Sequence, residues 1–346
     1  MALLFMEGFD GYTSLAEALE RRGVTFEVNN PEAWGDTKTG RISGKSADFG
    51  YDSAYAYYLP AASTATTWWN VAIQANAFTT SNNPFLTLQD SAGAALYQVQ
   101  YNGTTKLLQV VRGTTTVLGT STNPLQFSTW HSVGIEYFVN DTTGTVKLWL
   151  DGNLEIDLTG QDTKPGTTTT GSILIYGSQV AQSQELLLDD VIFGDDSGSD
   201  LTAYPGDCHI EMVLPDSDGT TNDWTPVGTG TTNADRVDEN PTDDDTTYVH
   251  STTATHKDLY GFAALTETAD TYLAVQLHLR ARKEGTGYRE VNATMRSNVT
   301  EVDGGNLGLT ITYLWFTYLQ ENDPNGGINW TESAINAMQA GIELTV

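Results

Sequence analysis

Short runs in which apolar and polar side chains alternate fill most of the first 195 residues, and Gly, Asn, Asp and Thr separate them. Thr129 to Val139 is the cleanest run: Val133, Ile135 and Tyr137 share one face of a two-residue repeat, as a half-buried strand requires. Thr66 to Thr80 carries Trp68, Trp69, Val71, Ile73 and Phe78 and predicts a second strand. Further strands are expected at Ala94 to Tyr101, Lys106 to Arg112, Thr114 to Gly119, Ser172 to Tyr176 and Leu186 to Phe193. Asp151-Gly152-Asn153 between Thr145 to Leu150 and Leu154 to Leu158 is the strongest hairpin signal. One helical pattern stands out, Ser14 to Arg22, with Ser14 as N-cap and Gly23 as its stop. Many short strands at this spacing predict a sandwich or jelly roll.

The pattern changes after Gly194. Gly194 to Asp200 is polar, and Pro205-Gly206 ends the segment. The expected organisation is a first domain at 1–200, a linker at 201–206 and a second domain at 207–346. In the second block, Tyr272 to Arg282, Arg289 to Ser297 and Leu307 to Leu319 read as longer strands. Thr331 caps a short helix, Glu332 to Ala340, and Ile342 to Val346 reads as a terminal strand. The expected fold class is all-β: a jelly-roll sandwich followed by a second β-rich, sandwich-like domain with one short helix.

Charge narrows the choice of partner. The chain has 346 residues, with 16 Lys and Arg against 44 Asp and Glu, a net charge of −28. Such a surface repels phosphate backbones and anionic lipid, so neither nucleic acid nor a membrane surface is an expected partner. No apolar stretch approaches the length of a membrane-spanning helix, and Met1 to Glu7 reads as a first strand, not as a signal peptide. Cys208, the single cysteine, excludes internal disulfides and cysteine-based zinc clusters.

Several pieces line up with one family. Phe5-Met6-Glu7-Gly8-Phe9-Asp10 opens the chain, Trp130-His131-Ser132-Val133 enters a strand, and Val146 to Gly152 forms a hairpin. Glu185 to Val191 makes the last strand. Together they resemble the concanavalin A-like, laminin G-like jelly rolls, over about residues 1 to 200, in the variant found in tailed-bacteriophage virion proteins. Trp224-Thr225-Pro226, Asp238 to Val249, Lys257 to Phe262 and Trp330-Thr331-Glu332 resemble a further phage structural domain. The resemblance implies a virion component on the particle exterior, with other virion proteins and copies of itself as partners. In jelly-roll relatives an ion joins the first strand to the last. The resemblance therefore implies calcium as a candidate ion, with Asp10 or Glu7 and Asp189 or Asp190 as ligands. The alternative is that these acids cap turns. No cofactor is required.

Candidate chemistry is sparse. Hydrolases of this fold place three acids on one strand as Glu-x-Asp-x-Glu or Glu-x-Asp-x-x-Glu. Here Glu155-Ile156-Asp157 begins the pattern, and Thr159 and Gly160 stand where the third acid belongs. Retaining hydrolysis needs two carboxyls about 5 Å apart, so no catalytic residue is assigned and the expectation is a protein that is not an enzyme. Trp68, Trp69, Trp130, Trp149, Tyr97 and Tyr101 are candidate stacking faces for a sugar, with core packing as the alternative. Asp216 to Asp223 only superficially resembles an EF-hand loop, and His131 reads as a hydrogen-bonded structural residue.

Charge in the second block is uneven. Five of its seven bases, Arg280, Arg282, Lys283, Arg289 and Arg296, lie within one short stretch, and Asp235, Asp238, Glu239 and Asp243 to Asp245 form an acidic counterpart. The expected assembly surface comprises those five bases with Trp315, Phe316 and Tyr318, docked on a neighbouring copy or on the particle. Cross-strand pairing within the chain is the alternative for the bases, and a two-sided core strand for the aromatics. The function read from the sequence is a non-enzymatic structural component of a virion, a capsid decoration, head fibre or tail appendage. A carbohydrate-binding adhesin contacting host glycans is the alternative, and a polysaccharide hydrolase ranks last.

Overall fold

A computed structural model describes residues 3–11, 38–42, 44–48, 55–58, 64–75, 82–166, 169–176 and 186–346. The helix expected at Ser14 to Arg22 lies outside them. The described chain divides into two compact units at Ile210/Glu211. Among its described residues the first unit has fourteen strands: β1 (Leu3–Glu7), β2 (Lys38–Thr39), β3 (Lys45–Asp48), β4 (Tyr55–Tyr58), β5 (Thr66–Ala75), β6 (Asn83–Gln89) and β7 (Ala95–Tyr101), then β8 (Leu107–Arg112), β9 (Thr116–Pro124), β10 (Trp130–Phe138), β11 (Gly144–Leu150), β12 (Asn153–Gln161), β13 (Ser172–Tyr176) and β14 (Leu186–Asp195). One sheet runs β12-β11-β10-β5-β14-β3-β2, with β1 also paired to β14, and the other runs β4-β13-β6-β7-β8-β9. This is an all-β jelly-roll sandwich.

Alternation decides which side chains enter the core. Val133, Ile135 and Tyr137 of β10 pack between the sheets with Trp69, Val71, Ile73, Tyr97, Val99, Tyr101, Val146 and Leu148. Tyr97 and Tyr137 stack at 4.1 Å between ring centroids, and Trp69 Nε1 donates to the Tyr97 hydroxyl at 2.9 Å, so the polar tips of the core aromatics find partners inside.

Strands β5 and β14 are buried on both faces. The cover on the outer face is the segment after β14. Trp68 Nε1 donates to the carbonyls of Asp195 and Leu201, and the Tyr204 hydroxyl donates to Asn70 Oδ1 at 3.3 Å. The Tyr204 ring lies 4.4 Å from Trp149 and directly over Gly134, where a Cβ would collide with it. Residues 201–206, expected as a linker, therefore strap the outer face of the first unit, and the seam falls beyond them, after Ile210. The polar composition of the segment reflects one wet face, while Leu201 and Tyr204 reach the sheet.

The second unit contains β15 (Pro215–Asn222), β16 (Thr225–Val227), β17 (Tyr248–His250), β18 (Lys257–Phe262), β19 (Val275–Ala281), β20 (Glu290–Ser297), β21 (Thr300–Gly308), β22 (Leu314–Gln320), β23 (Asn322–Asp323), β24 (Ile328–Asn329) and β25 (Gln339–Leu344). Its main sheet runs β15-β18-β25-β20-β21, and β19-β22 forms a separate two-stranded ribbon. Helix α1 (Glu332–Ala337) is capped by Thr331, whose hydroxyl accepts from Ala334 N at 3.2 Å. The single strand expected over Leu307 to Leu319 is two strands: β21 ends at Gly308 and the chain turns before β22. That break explains why both faces read as apolar in sequence: Leu307 packs from β21, and Tyr318 packs from the ribbon.

Gly134→Val places a side chain where Tyr204 sits, so overpacking should cost about 1–3 kcal/mol. Urea melts should show that loss, together with faster proteolysis within 196–210. Unchanged stability and cleavage would mean the strap does not depend on this contact.

Candidate functional site

The outer face of the second sheet carries an uncharged polar ladder. Gln98 and Gln100 of β7 alternate with the core residues Tyr97, Val99 and Tyr101, and therefore point away from the sandwich interior. Gln98 Nε2 donates to Thr87 Oγ1 of β6 at 3.0 Å. Gln100 Nε2 donates to Gln109 Oε1 of β8 at 2.8 Å, and Gln109 Nε2 donates to Thr120 Oγ1 of β9 at 3.3 Å. Exposure grows along this second row, from buried Gln100 through half-buried Gln109 to exposed Thr120. Val111, which opposes Gln98, and Val117, which opposes Val111, add a small apolar strip on the same face. Each amide presents a donor and an acceptor side by side, the pattern that vicinal hydroxyl groups complement. No motif marks these residues as a site in the sequence. The signal was the Gln-Val-Gln alternation inside β7 and the single Gln109 in an otherwise apolar β8.

The residues that look catalytic hold structure together instead. Glu155 accepts hydrogen bonds from Thr122 N at 2.8 Å, Asn123 N at 3.0 Å, Thr122 Oγ1 at 2.5 Å and Asn123 Nδ2 at 2.6 Å. Burial pushes this carboxyl up, but those four bonds outweigh it and hold the group at about 2. It stays ionised at neutral pH and cannot act there as a general acid. His131 Nε2 accepts from Gln126 N at 3.0 Å, so Nδ1 carries the proton and donates to Asp151 Oδ2 at 2.7 Å. Ser132 points to the opposite face and donates to Asn70 at 2.9 Å, so no Ser-His-Asp arrangement forms here.

Four of the six candidate sugar platforms are core residues. Trp68, Trp69, Tyr97 and Tyr101 are at most 1% exposed and present no face to a ligand. Trp130 is half-buried, and Trp149 is covered on one side by Tyr204.

The structure brings Asp10, Asp189 and Asp190 to one place. Asp189 and Asp190 are buried at a bulge in β14, with Asp190 at φ 51°. Asp189 Oδ2 accepts from Arg41 N at 2.8 Å, Asp10 Oδ1 from Lys45 N at 2.7 Å, and Asp190 Oδ1 from Ile210 N at 2.8 Å. Burial and the neighbouring Asp190 raise the Asp189 carboxyl above the usual carboxylate range. Facing Asp190 are His209 Nδ1 at 2.9 Å and the Arg41 guanidinium, its Nη1 3.6 Å from Oδ2, while Arg41 also binds Asp207. Among the described residues no group of three or more His, Cys, Asp or Glu is arranged to hold a metal ion. This donor set, with a guanidinium inside it, does not fit a calcium centre.

In the second unit the basic stretch meets its acidic counterpart within the same chain. Arg280 grips Asp244 through two bonds of 2.6 and 3.0 Å, and Arg282 binds Asp245 at 2.8 Å. The Tyr313 hydroxyl also donates to Asp245, and the Arg280 guanidinium lies 5.1 and 5.2 Å from the Tyr313 and Trp315 ring centroids. Arg296 pairs with Glu301 at 3.1 Å. Lys283 and Arg289 reach only carbonyls, of Gly287 and Tyr288. Phe316 and Tyr318 lie on the inner face of the ribbon, opposite Leu279 and Leu277, and Tyr318 packs with Met295 and Trp330. Arg280 and Arg282, expected at a contact with a neighbouring copy, thus pair inside the unit, because the loop at 243–245 folds back over the ribbon; Arg296 pairs across β20 and β21, and Phe316 and Tyr318 face inward.

No family model matches the sequence, and no curated protein matches it. Solved structures similar to the chain include the cellulose induced protein Cip1, 11% identical with a TM-score of 0.38 over 49% of this chain and 90% of that one. The carbohydrate binding module CBM66 from Bacillus subtilis is 14% identical, with a TM-score of 0.31 over 49% and 95%. Alginate lyase Aly36B is 8% identical, with a TM-score of 0.41 over 55% and 96%. At these scores the likeness carries no argument about ligand or activity.

Two outcomes follow from the buried charges. Arg41→Met leaves the buried Asp190 carboxylate short of its cation and should cost about 2–4 kcal/mol in denaturant melts. A loss below about 0.5 kcal/mol would show that His209 suffices. Glu155 has its folded pKa lowered, so its contribution is present above its unfolded value and is lost as pH falls through about 2. Glu155→Gln should therefore flatten the stability profile between roughly pH 4.5 and 2. Parallel acid titration of both proteins would count against this role.

Proposed function

We propose that the chain is a non-enzymatic binding and display protein whose first unit takes neutral glycans at the open end of the ladder, on Gln109 and Thr120, with buried Gln100 holding Gln109 in place. The observation that carries this reading is the hydrogen-bonded run from Gln100 through Gln109 to exposed Thr120. Amides and hydroxyls of this kind exchange hydrogen bonds with sugar hydroxyls, and exposed Val117 offers apolar contact to the C–H face of a ring. A chain with a net charge of −28 disfavours anionic polysaccharides and leaves neutral ones. The groups that hydrolysis would require support the same view, since Glu155 and His131 are tied into structural bonds.

The setting we propose is the exterior of a tailed-phage virion, supported by the opening Phe5 to Asp10 and the run Asp238 to Val249. There the second unit joins the first to other virion proteins, and host surface glycans are the ligands. A glycan array tests the binding. Neutral glycans should give hits that Gln109→Ala with Thr120→Ala weakens by about tenfold per lost hydrogen bond, with the circular dichroism spectrum unchanged. An array without hits at high micromolar protein would remove the glycan and leave a display role alone.

A further inference from the structure

The segments that carry three exposed large apolar side chains of the second unit meet at one corner. Tyr288 is 63% exposed, Ile311 65% and Val346 48%. Backbone bonds tie them together: Lys283 N donates to Thr310 O at 2.8 Å, Leu309 N to Arg289 O at 2.9 Å, and Val346 N to Glu290 O at 3.4 Å. The turn between β19 and β20 is thus pinned against the turn between β21 and β22, with β25 ending alongside.

The bases at this corner differ from most of those elsewhere in the unit. Arg280, Arg282, Arg296 and Lys257 each hold a carboxylate of the same chain. Among the described residues Lys283 and Arg289 meet no carboxylate and bond to backbone carbonyls of their own turn. Beside them Glu284 has a side chain 85% exposed, and its nearest cation, Arg282 at 3.7 Å, is already bound to Asp245. An exposed apolar centre is therefore rimmed by free charge of both signs. In a chain of net charge −28, copies repel one another over most of their surface, and a contact between them needs such a local balance.

We infer that this corner pairs two copies of the chain about a two-fold axis. In an isologous contact each residue meets its counterpart's neighbour reciprocally. Tyr288 and Ile311 of both copies form the centre, and Arg289 of each copy faces Glu284 of the other. The inference is independent of the glycan reading, since the ladder lies in the first unit.

The patch is small, so the dimer should be weak, with a dissociation constant on the order of 0.1 mM, and salt should weaken it further. Sedimentation equilibrium of the full chain is the test. Wild type should pass from monomer to dimer across that concentration range. Arg289→Glu and Glu284→Arg should each remain monomeric, and an equimolar mixture of the two variants should restore the dimer, because both cross-pairs are then complementary. Ile311→Asp should also abolish it. These residues are exposed, and unchanged melting temperatures will confirm intact folds. A wild type that stays monomeric to about 1 mM, variants that associate like wild type, or a mixture that stays monomeric would each overturn the contact.

Discussion

Strand β14 is the constraint on which the first unit depends. It pairs with β5 along one edge, and along the other with β3 before the bulge and with β1 after it. A strand that changes partners in mid-course leaves backbone donors without ladder acceptors, and buried donors are costly to leave unpaired. Asp189 and Asp190 occupy that point, and their carboxylates take up the N–H groups of Arg41, Asp190 and Ile210. Acids in the middle of a fully buried strand are therefore part of the sheet's hydrogen bonding. Arg41 and His209 follow from them, since buried carboxylates need cations nearby.

The same logic runs through both units. Glu155 ties β12 to β9, Asp151 anchors His131, and Asp258 accepts from Trp224 N and from Asn233 Nδ2. These carboxylates look chemically available in a sequence and are structurally committed in the fold. The binding we propose therefore rests on the polar ladder of the second sheet and on no acid pair.

Much of the first unit was legible in the sequence. The alternation at β10, the hairpin at Asp151-Gly152 and the apolar runs of β5 and β14 place strands within a few residues of where they form, because side-chain period and turn chemistry are local properties. The second unit was less so. Its loop from 237 to 247 has no periodicity, and only the fold shows that Asp244 and Asp245 lie over Arg280 and Arg282. Strand and loop are far apart along the chain, and charge composition does not say whether a partner lies in the same copy or another.

By itself, the sequence determined the all-β class, the acidic surface, the strand alternation that selects the core, and the missing third acid. These follow from composition and from the two-residue period of an extended chain. Tertiary structure alone decided that residues 201–206 strap the first sheet, that four candidate aromatic platforms are buried, and that Arg280 and Arg282 of the basic hairpin are neutralised in cis. It also decided that Gln98, Gln100 and Gln109 share one face. Each of these depends on which strands become neighbours, and pairing between distant segments is set by packing and register, which no local pattern encodes.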